Sequence, residues 1–270
     1  MARDTPYTEV KIDDVVELVI ETVPSQRVFI DEMRNSLYYF FSRMSGTYSD
    51  HYADRGAVNF PFKGFVLAGP PGTGKTEAVR IAFRELYDKL ANENDDWNLR
   101  LLHINPADVN RSGVGDIERN IRRIFKDARG DGENGRTILL FDDIETLIVG
   151  RKDAHTTEWS RAANGVFFHE LDRLSSDNTL VVATTNEPDL IDSAIHSRLS
   201  LRYVPAPSLD EMLKVARSCL PMSQPTGLPP LDEMMSRVRS NIEESEEAPS
   251  FRLARKAAIE VMISEVVGWR

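Results

Sequence analysis

Eight consecutive residues constrain the fold of this chain more than any other feature. They are Gly69, Pro70, Pro71, Gly72, Thr73, Gly74, Lys75 and Thr76. They directly follow an apolar run at 64–68, and this arrangement is typical of a phosphate-binding loop between a strand and a helix. The glycines allow backbone N–H groups to turn toward phosphate oxygens, and the helix adds its positive N-terminal end. We therefore expect the loop to bind ATP, with Lys75 on the phosphates and Thr76 ligating Mg²⁺.

Short apolar runs elsewhere predict the sheet to which this loop belongs. With the run before the loop they cover residues 64–68, 101–104, 137–141, 180–184 and 201–204. They are rich in Leu, Ile and Val without alternation, as expected for strands buried on both faces. Amphipathic patterns of helical period separate them, notably at 116–128 and 159–174. The alternation predicts an α/β fold in which helices flank a five-stranded parallel sheet.

The sequence pattern changes after Pro205-Ala206-Pro207 and predicts three parts. Ser208 can cap a helix that runs to residue 220, and further helical patterns cover 231–244 and 250–267. We expect a small all-helical lid domain at 208–270, after an α/β core at 56–207. Residues 1–55 are expected to form an N-terminal helical segment, with a helix at 25–44, and a linker. That segment leaves little room for a domain that recruits substrates.

Composition and charge argue against several classes of protein. The chain has 33 Lys and Arg against 43 Asp and Glu, a net charge of −10, which argues against sequence-independent coating of DNA. No run of 18 apolar residues exists, so we expect no membrane contact. The N-terminus lacks the features of a signal peptide, and a cytoplasmic protein is expected. The lone cysteine, Cys219, excludes an intramolecular disulfide, and we expect it to be buried.

Polar residues follow two of the predicted strands and complete a candidate magnesium site. Asp142 and Asp143 end the strand at 137–141, and Asn186 follows the strand at 180–184. We expect Asp142 to hold Mg²⁺, directly or through water. Asp143 is expected to face the γ-phosphate and orient the attacking water. Asn186 is a candidate ligand of the γ-phosphate or the water, although Asn-x-Pro by itself also marks a turn.

With these residues in place, the chain resembles the AAA+ ATPases over about residues 55–270. Residues 69–76 are similar to the Walker A motif of that family, 139–143 to its Walker B motif and 183–186 to its sensor 1. The resemblance implies a P-loop NTPase fold and makes Asn186 the sensor. It also implies a homo-oligomeric ring, taken as a hexamer, with ATP and Mg²⁺ at the subunit boundaries.

The same resemblance assigns three arginines. Arg198 occupies the place of the arginine finger, which acts on ATP held by the adjacent subunit. Arg202 is the reserve candidate for this role, and an exposed charge on an edge strand is the alternative for it. Arg252 corresponds to sensor 2, facing the γ-phosphate, and the alternative is a solvated residue at a helix start. A cation there opposes the helix dipole, which favours a role near the ligand.

Two positions depart from the family pattern. Asp143 stands where the family usually has Glu, so its carboxylate is set back by one methylene, roughly 1.5 Å. Positioning errors of that size can cost about 100-fold in rate, which predicts slow hydrolysis. Gly113 stands where a pore loop typically carries an aromatic residue, which argues against threading of polypeptide by that loop. The segment 147–157, with His155, would be the second pore loop.

Three functional hypotheses follow. The first is a ring that uses ATP to remodel a protein partner; residues 142–147 and 197–201 are similar to ATPases that remodel HORMA-domain proteins. The second is a slowly hydrolysing, nucleotide-controlled assembly switch. The third is a DNA-directed ATPase of the clamp-loader or helicase-loader type. Its support is a basic set that a solvated helix face also explains, so we expect no nucleic-acid partner. The set is Arg111, Arg119, Arg122, Arg123, Lys126 and Arg129.

Overall fold

The computed structural model describes residues 5–15, 22–42, 63–92, 98–109, 116–129, 135–148, 158–221 and 228–267. Within these residues, six strands form one sheet in the order β1-β3-β4-β5-β2-β6. The strands are β1 (Thr8–Val10), β2 (Gly64–Ala68), β3 (Asn98–Ile104), β4 (Gly135–Phe141), β5 (Thr179–Thr185) and β6 (Leu199–Tyr203). The helices are α1 (Pro24–Ser42), α2 (Lys75–Asn92), α3 (Pro106–Val109), α4 (Asp116–Ala128), α5 (Glu158–Asp172), α6 (Leu209–Ser218), α7 (Leu231–Glu243) and α8 (Phe251–Val267).

The five predicted strands are present and parallel, which confirms the α/β fold with flanking helices. Among the described residues the sheet has one strand more than predicted, because β1 pairs antiparallel with β3 at the sheet edge. This strand is three residues long, and two of its residues are exposed. So short a strand carries no apolar pattern that sequence reasoning can detect.

Burial on both faces explains why the strands lack alternation. In β4, Ile138 and Leu140 face an apolar cluster that contains α1 and α2, whereas Leu139 and Phe141 face a second cluster that contains α4 and α5. All residues of β4 and β5 are buried. The sheet is therefore the middle layer of three, and only its strand ends can offer polar groups to a ligand.

Three phenylalanines fix the end of β4, where the predicted magnesium ligand begins. Phe125 of α4, Phe141 of β4 and Phe167 of α5 are fully buried. Their ring centroids lie 5.3 to 6.0 Å apart, and two of the three pairs meet edge to face. Contacts of this kind add stability beyond the burial of apolar area. They therefore hold the carboxyl end of β4 firmly against both helices.

An ionic seam joins α1 to α2 away from the strand ends. Arg27 donates to Glu85 at 2.6 Å, and Arg34 donates to the other oxygen of Glu85 at 2.7 Å. The hydrogen bond from Arg27 lowers the pKa of Glu85, and burial of the carboxyl opposes that shift. Since Glu85 is largely buried, this pairing is worth more than an exposed ion pair.

The helices α6, α7 and α8, called here the lid helices, share an apolar cluster of their own. Ser208 caps α6 with a full capping box, in which Glu211 bonds back to the Ser208 backbone, as the predicted helix start requires. The expectation that Cys219 is buried is wrong, because this residue is exposed. Helical spacing allowed either of the two residues after Ser218 to face inward, and Leu220 takes the buried place.

Some predictions lie outside the described residues. These are Gly113, Arg111, His155 and the last two residues of the helix predicted at 25–44. In the part of the chain that the structure describes, no helix combines the length and the apolar character that crossing a membrane requires.

Candidate functional site

The loop at 69–76 follows β2, the strand next to the edge strand β6. Strand β2 pairs with β5 on one side and β6 on the other, so the loop leaves the carboxyl edge at which β4 and β5 also end. The loop turns through Gly72 (φ 75°) and Gly74 (φ 86°), in the left-handed region that favours glycine. At Gly69 a Cβ atom would lie 2.2 Å from the carbonyl oxygen of Val204, so this contact also requires glycine.

Lys75 connects the two ends of this loop to strand β5. Only 6% of it is exposed. Its Nζ donates to the carbonyl oxygens of Gly69 (2.8 Å) and Pro70 (2.9 Å) and to Oδ1 of Asn186 (2.8 Å). Burial of the ammonium lowers its pKa, whereas nearby carboxylates, Asp143 first among them, act in the opposite direction. The structure thus brings Lys75, Asn186 and the loop together, and their contact with phosphates stays a prediction.

The two predicted magnesium ligands lie side by side. The Thr76 hydroxyl donates to Oδ1 of Asp142 at 2.7 Å, and the Thr184 hydroxyl donates to the same oxygen at 2.5 Å. His103 Nε2 lies 3.4 Å from the other oxygen. Burial by itself would raise the pKa of Asp142, but hydrogen bonds from His103, Thr184 and Thr76 outweigh it and lower the pKa to about 2. The Asp142 carboxylate is therefore ionised, as a ligand of a hard cation must be.

Asp143 has the left-handed backbone that non-glycine residues rarely adopt, with φ 46°. Its side chain accepts a hydrogen bond from Nδ2 of Asn186 at 2.8 Å, and its N–H donates to Thr184 at 3.1 Å. Burial raises the pKa of Asp143, and the charges of Asp142 and Glu145 raise it further. Glu145 accepts from the backbone N–H of Asn186 at 3.0 Å, so it supports the end of β5.

The lid helices close one side of a cleft of about 720 Å³ above the loop. The first residue of α8, Phe251, donates its N–H to the carbonyl oxygen of Gly72 at 2.9 Å. A Cβ atom on Gly72 would lie 3.0 Å from Ser250 and 3.1 Å from Arg252. Arg252 lines the cleft and is near enough to Lys75 to lower the pKa of its ammonium. The loop and the predicted sensor 2 residue are therefore direct neighbours.

The two finger candidates do not line this cleft. Arg198 comes just before β6, at the opposite end of the sheet from the loop, and donates to both oxygens of Asp172 at 2.6 and 2.8 Å. Its guanidinium also lies over the ring of Phe168. Arg202 donates to Glu32 of α1 at 2.6 Å. Each arginine is thus held within its own subunit, and action on a neighbouring subunit stays a prediction.

The sequence did not predict His103 and Thr184, which both contact Asp142. The sequence carries only a weak signal for each of these two residues. His103 is a polar residue in an otherwise apolar part of β3, and Thr184 is next to last in β5. Parallel pairing places β3 and β5 on either side of β4, so both side chains reach the residue that follows β4.

These residues fit a nucleoside triphosphate with Mg²⁺. Positive φ angles at Gly72 and Gly74 suit a loop whose N–H groups face phosphates, and a Cβ atom on Gly72 would crowd the cleft wall. The donor set for the cation is a hydroxyl and an ionised carboxylate, both oxygen ligands. Fold and site together define the chain as a P-loop nucleotide-binding protein.

The family follows from comparison with known proteins. The model described as "ATPase family associated with various cellular activities (AAA)" matches residues 65–205, just over half of the chain. This chain therefore belongs to the AAA family of ATPases, which confirms the resemblance seen in its motifs.

Similar proteins share the module rather than the whole chain. CD-NTase-associated protein 6 from Pseudomonas aeruginosa is 33% identical over 59% of this chain and 54% of its own length. An "AAA ATPase forming ring-shaped complexes" from Bifidobacterium adolescentis is 30% identical over 59% of this chain and 31% of its own length. The chain thus matches about half or less of these relatives. A solved HORMA:CdnC:Trip13 complex from E. coli MS115-1 contains a chain with the same fold, at a TM-score of 0.57 and 18% identity, covering 87% of this chain and 90% of that one.

Proposed function

We propose that this protein binds ATP–Mg²⁺ between the loop and α8, hydrolyses it, and uses the reaction to remodel or assemble a protein partner. The observation that carries the proposal is one connected polar network at the carboxyl edge of the sheet. It links Lys75, Asn186 and Asp143, and Thr76 with Asp142 lies beside it. The hydrogen bond from Phe251 to Gly72 attaches the lid helices to the same loop. A change at the phosphates is thereby coupled to the lid.

Each residue of the network has a chemical part in this proposal. Lys75 and the loop N–H groups hold the phosphates, and Thr76 with Asp142 holds Mg²⁺. When bound, Mg²⁺ neutralises charge on the β- and γ-phosphate oxygens. Asp143 orients the attacking water, and Asn186 fixes the Asp143 carboxylate through its 2.8 Å hydrogen bond. A raised pKa makes Asp143 a better proton acceptor than an ordinary aspartate.

We further propose that the active form is a hexameric ring in which Arg198 completes the site of the next subunit. The printed name of the Bifidobacterium relative, which refers to ring-shaped complexes, supports a ring. The test is an Arg198→Ala variant, with Arg202→Ala as the matched control. Arg198→Ala should bind ATP and assemble, yet lose about 100-fold or more in turnover. Normal turnover in Arg198→Ala with loss in Arg202→Ala would move the finger to Arg202.

The proposed partner is a HORMA-domain protein. Support comes from the solved complex of the same fold, which contains a HORMA protein, and from the similar motifs at 142–147 and 197–201. The test is capture of a purified HORMA-domain protein by an Asp143→Asn variant, which should bind ATP without hydrolysing it. We expect retention with ATP and release with ADP. Equal recovery in both nucleotides, or none in either, would refute this choice of partner.

The assembly switch is the second candidate, because the shorter Asp143 carboxylate is held by Asn186. Asp143→Glu separates the two candidates, with steady-state turnover and partner release as the readouts. If turnover rises sharply while partner function falls, slow hydrolysis is the working state. If both rise together, the remodelling proposal is favoured.

The described residues give less support to the hypothesis of a DNA-directed ATPase. Arg119, Arg123 and Arg129 form ion pairs with Asp116, Asp127 and Glu170, so much of the basic charge is neutralised locally. Single-stranded DNA should neither stimulate turnover nor bind in a salt-dependent way.

A further inference from the structure

Gln26, in the first turn of α1, is a buried polar residue without an evident role. It is only 1% exposed. Neither its amide nitrogen nor its amide oxygen has a hydrogen-bond partner among the described residues. An unsatisfied buried amide is costly, and native proteins rarely retain one without a reason. The site already described does not use this residue.

The first turn of α1 lies where the lid helices meet the sheet. The Ser25 N–H donates to Glu211 of α6 at 3.0 Å, and Lys214 of α6 donates to the Thr22 carbonyl at 2.8 Å. The connection from β6 to α6 passes Val204, whose N–H donates to the carbonyl of Ala68 at 2.7 Å. Ala68 is the last residue before the loop. Gln26 is therefore close to the junction between the loop and the lid helices.

Beside these polar contacts, part of the junction is apolar. Val23, Val204, Val215 and Phe251 belong to one apolar cluster, and each is at most 3% exposed. Phe251 also lines the cleft above the loop. A purine base has two apolar faces and a polar edge, so its faces suit this apolar cluster and its edge suits the unpaired Gln26 amide.

We propose that Gln26 recognises the adenine base of the bound nucleotide. An amide offers one acceptor and one donor, which pair with the exocyclic amino group and a ring nitrogen of adenine. The corresponding N7/O6 edge of guanine has two acceptors and can satisfy only the donor. The inference rests on the proposed binding of ATP at the loop. It adds a second contact region, which selects the base rather than the phosphates.

The test compares ligands with and without a base. Dissociation constants of Mg²⁺ complexes of ATP, GTP and inorganic tripolyphosphate are measured for the wild type and Gln26→Met, an apolar replacement of similar shape. Gln26→Met should bind ATP about 10- to 100-fold more weakly, with tripolyphosphate unchanged and the preference for ATP over GTP reduced. Asn35→Leu, an exposed amide on the same helix, should change none of the three. Unchanged ATP affinity in Gln26→Met would overturn the inference.

Stability without nucleotide separates base recognition from a structural role. Removal of an unsatisfied buried amide should raise the melting temperature of the free protein, and the further rise caused by ATP should shrink. If Gln26 instead supports the fold, through a bound water for example, Gln26→Met should melt lower and keep its ATP selectivity, which overturns the inference. If Gln26→Met does not fold, Gln26→Asn is the second variant. It keeps an amide on a shorter side chain, and it should also lose ATP affinity relative to tripolyphosphate.

Lys75→Ala distinguishes this inference from the proposed function. It should lose both ATP and tripolyphosphate. If Lys75→Ala retains both ligands, the loop is not the phosphate site and the proposed function fails together with this inference. If Lys75→Ala loses both while Gln26→Met keeps the selectivity of the wild type, the inference about Gln26 alone is wrong.

Discussion

The two walls of the cleft are built differently. On the sheet side, Lys75 is buried with three hydrogen bonds, and Asp142 accepts hydrogen bonds from two hydroxyls. On the lid side, Arg252 and Arg255 are exposed. The N–H of Phe251, at the start of α8, donates to the loop at Gly72. The sheet wall is thus preorganised, whereas the lid wall offers charges that solvent still reaches.

The apolar clusters explain this difference. The polar groups of the sheet wall follow strands that are buried on both faces. Because these strands are tightly packed, they hold the polar groups in fixed positions. The lid helices share a separate cluster, although Val215 and Phe251 also reach the cluster beside α1 and α2. A unit with its own core can change its position without losing its internal packing. The effects of substitutions on the two walls should therefore differ in size and in kind.

The largest expected effect is on the sheet wall. Lys75→Ala should weaken ATP binding by about 100-fold or more, because it removes a buried, preorganised cation from the proposed phosphate site. Equilibrium binding of ATP–Mg²⁺ measures it. Lys89→Ala, at the other lysine of α2, is the control and should leave the affinity unchanged. If Lys75→Ala binds ATP with an affinity within about threefold of the wild type, the proposal that the sheet wall binds the phosphates is contradicted.

The next effect tests the junction of the walls. Gly72→Ala should lower the free energy of unfolding by about 1–2 kcal/mol, because its φ is positive and its Cβ would crowd Ser250 and Arg252. ATP affinity should fall about tenfold as α8 is displaced.

Gly165→Ala is the control for Gly72→Ala. Gly165 lies inside α5, and a Cβ atom there meets nothing within 4 Å, so alanine should stabilise the protein by up to about 1 kcal/mol. Thermal and denaturant unfolding of both variants measure the difference. Equal effects of the two substitutions would mean that the contact between loop and lid carries no strain.

A smaller effect is expected on the lid wall. Arg252→Ala should weaken ATP binding about fivefold, since an exposed cation contributes less than a buried one. High salt should reduce the difference from the wild type, because exposed charges are screened. Arg239→Ala, at an exposed ion pair of α7, serves as the control. A loss in Arg252→Ala as large as that in Lys75→Ala would show that the two walls are equally preorganised.

The smallest effect on the site should come from the seam between α1 and α2. Glu85→Gln should leave ATP affinity unchanged but lower the free energy of unfolding at pH 7 by about 1–2 kcal/mol. The folded pKa of Glu85 lies below its usual 4.5, so the carboxylate stabilises the fold above that pH. Its contribution is lost as the pH falls through the lowered pKa.

The difference between the wild type and Glu85→Gln should therefore shrink once the pH falls below the usual pKa and disappear below the lowered pKa. Urea unfolding at several pH values measures it. Glu233→Gln, at the exposed pair with Arg237, should change stability by less than about 0.5 kcal/mol. A difference that persists at low pH would assign the Glu85 effect to packing instead of charge.

Local sequence patterns were enough to predict the five parallel strands and the loop. Strands buried on both faces show as apolar runs, and the loop glycines show as a fixed spacing because each has a steric reason at its own position. The order of the strands brings Asp142, Asn186 and the loop to one edge, as parallel pairing requires. Family membership followed from the same motifs.

Long-range pairs were not predictable from local patterns. Arg202 meets Glu32 across 170 residues, and Arg198 meets Asp172 across 26. His103 reaches Asp142 only because β3 and β4 pair in a particular register. No sequence pattern fixes such a register when one of the two strands, β4, is buried along its whole length. Cys219 shows the same limit at the end of a helix, since spacing alone could not decide which of Cys219 and Leu220 faces inward.

That misjudged cysteine makes the lid accessible to spectroscopy. Cys219 is the only thiol in the chain, and it is exposed at the end of α6. A maleimide dye would therefore attach to one position, on the lid side of the cleft, without any prior substitution. With a second dye on the sheet side, energy transfer would follow the distance between the two walls during each cycle of nucleotide binding and release.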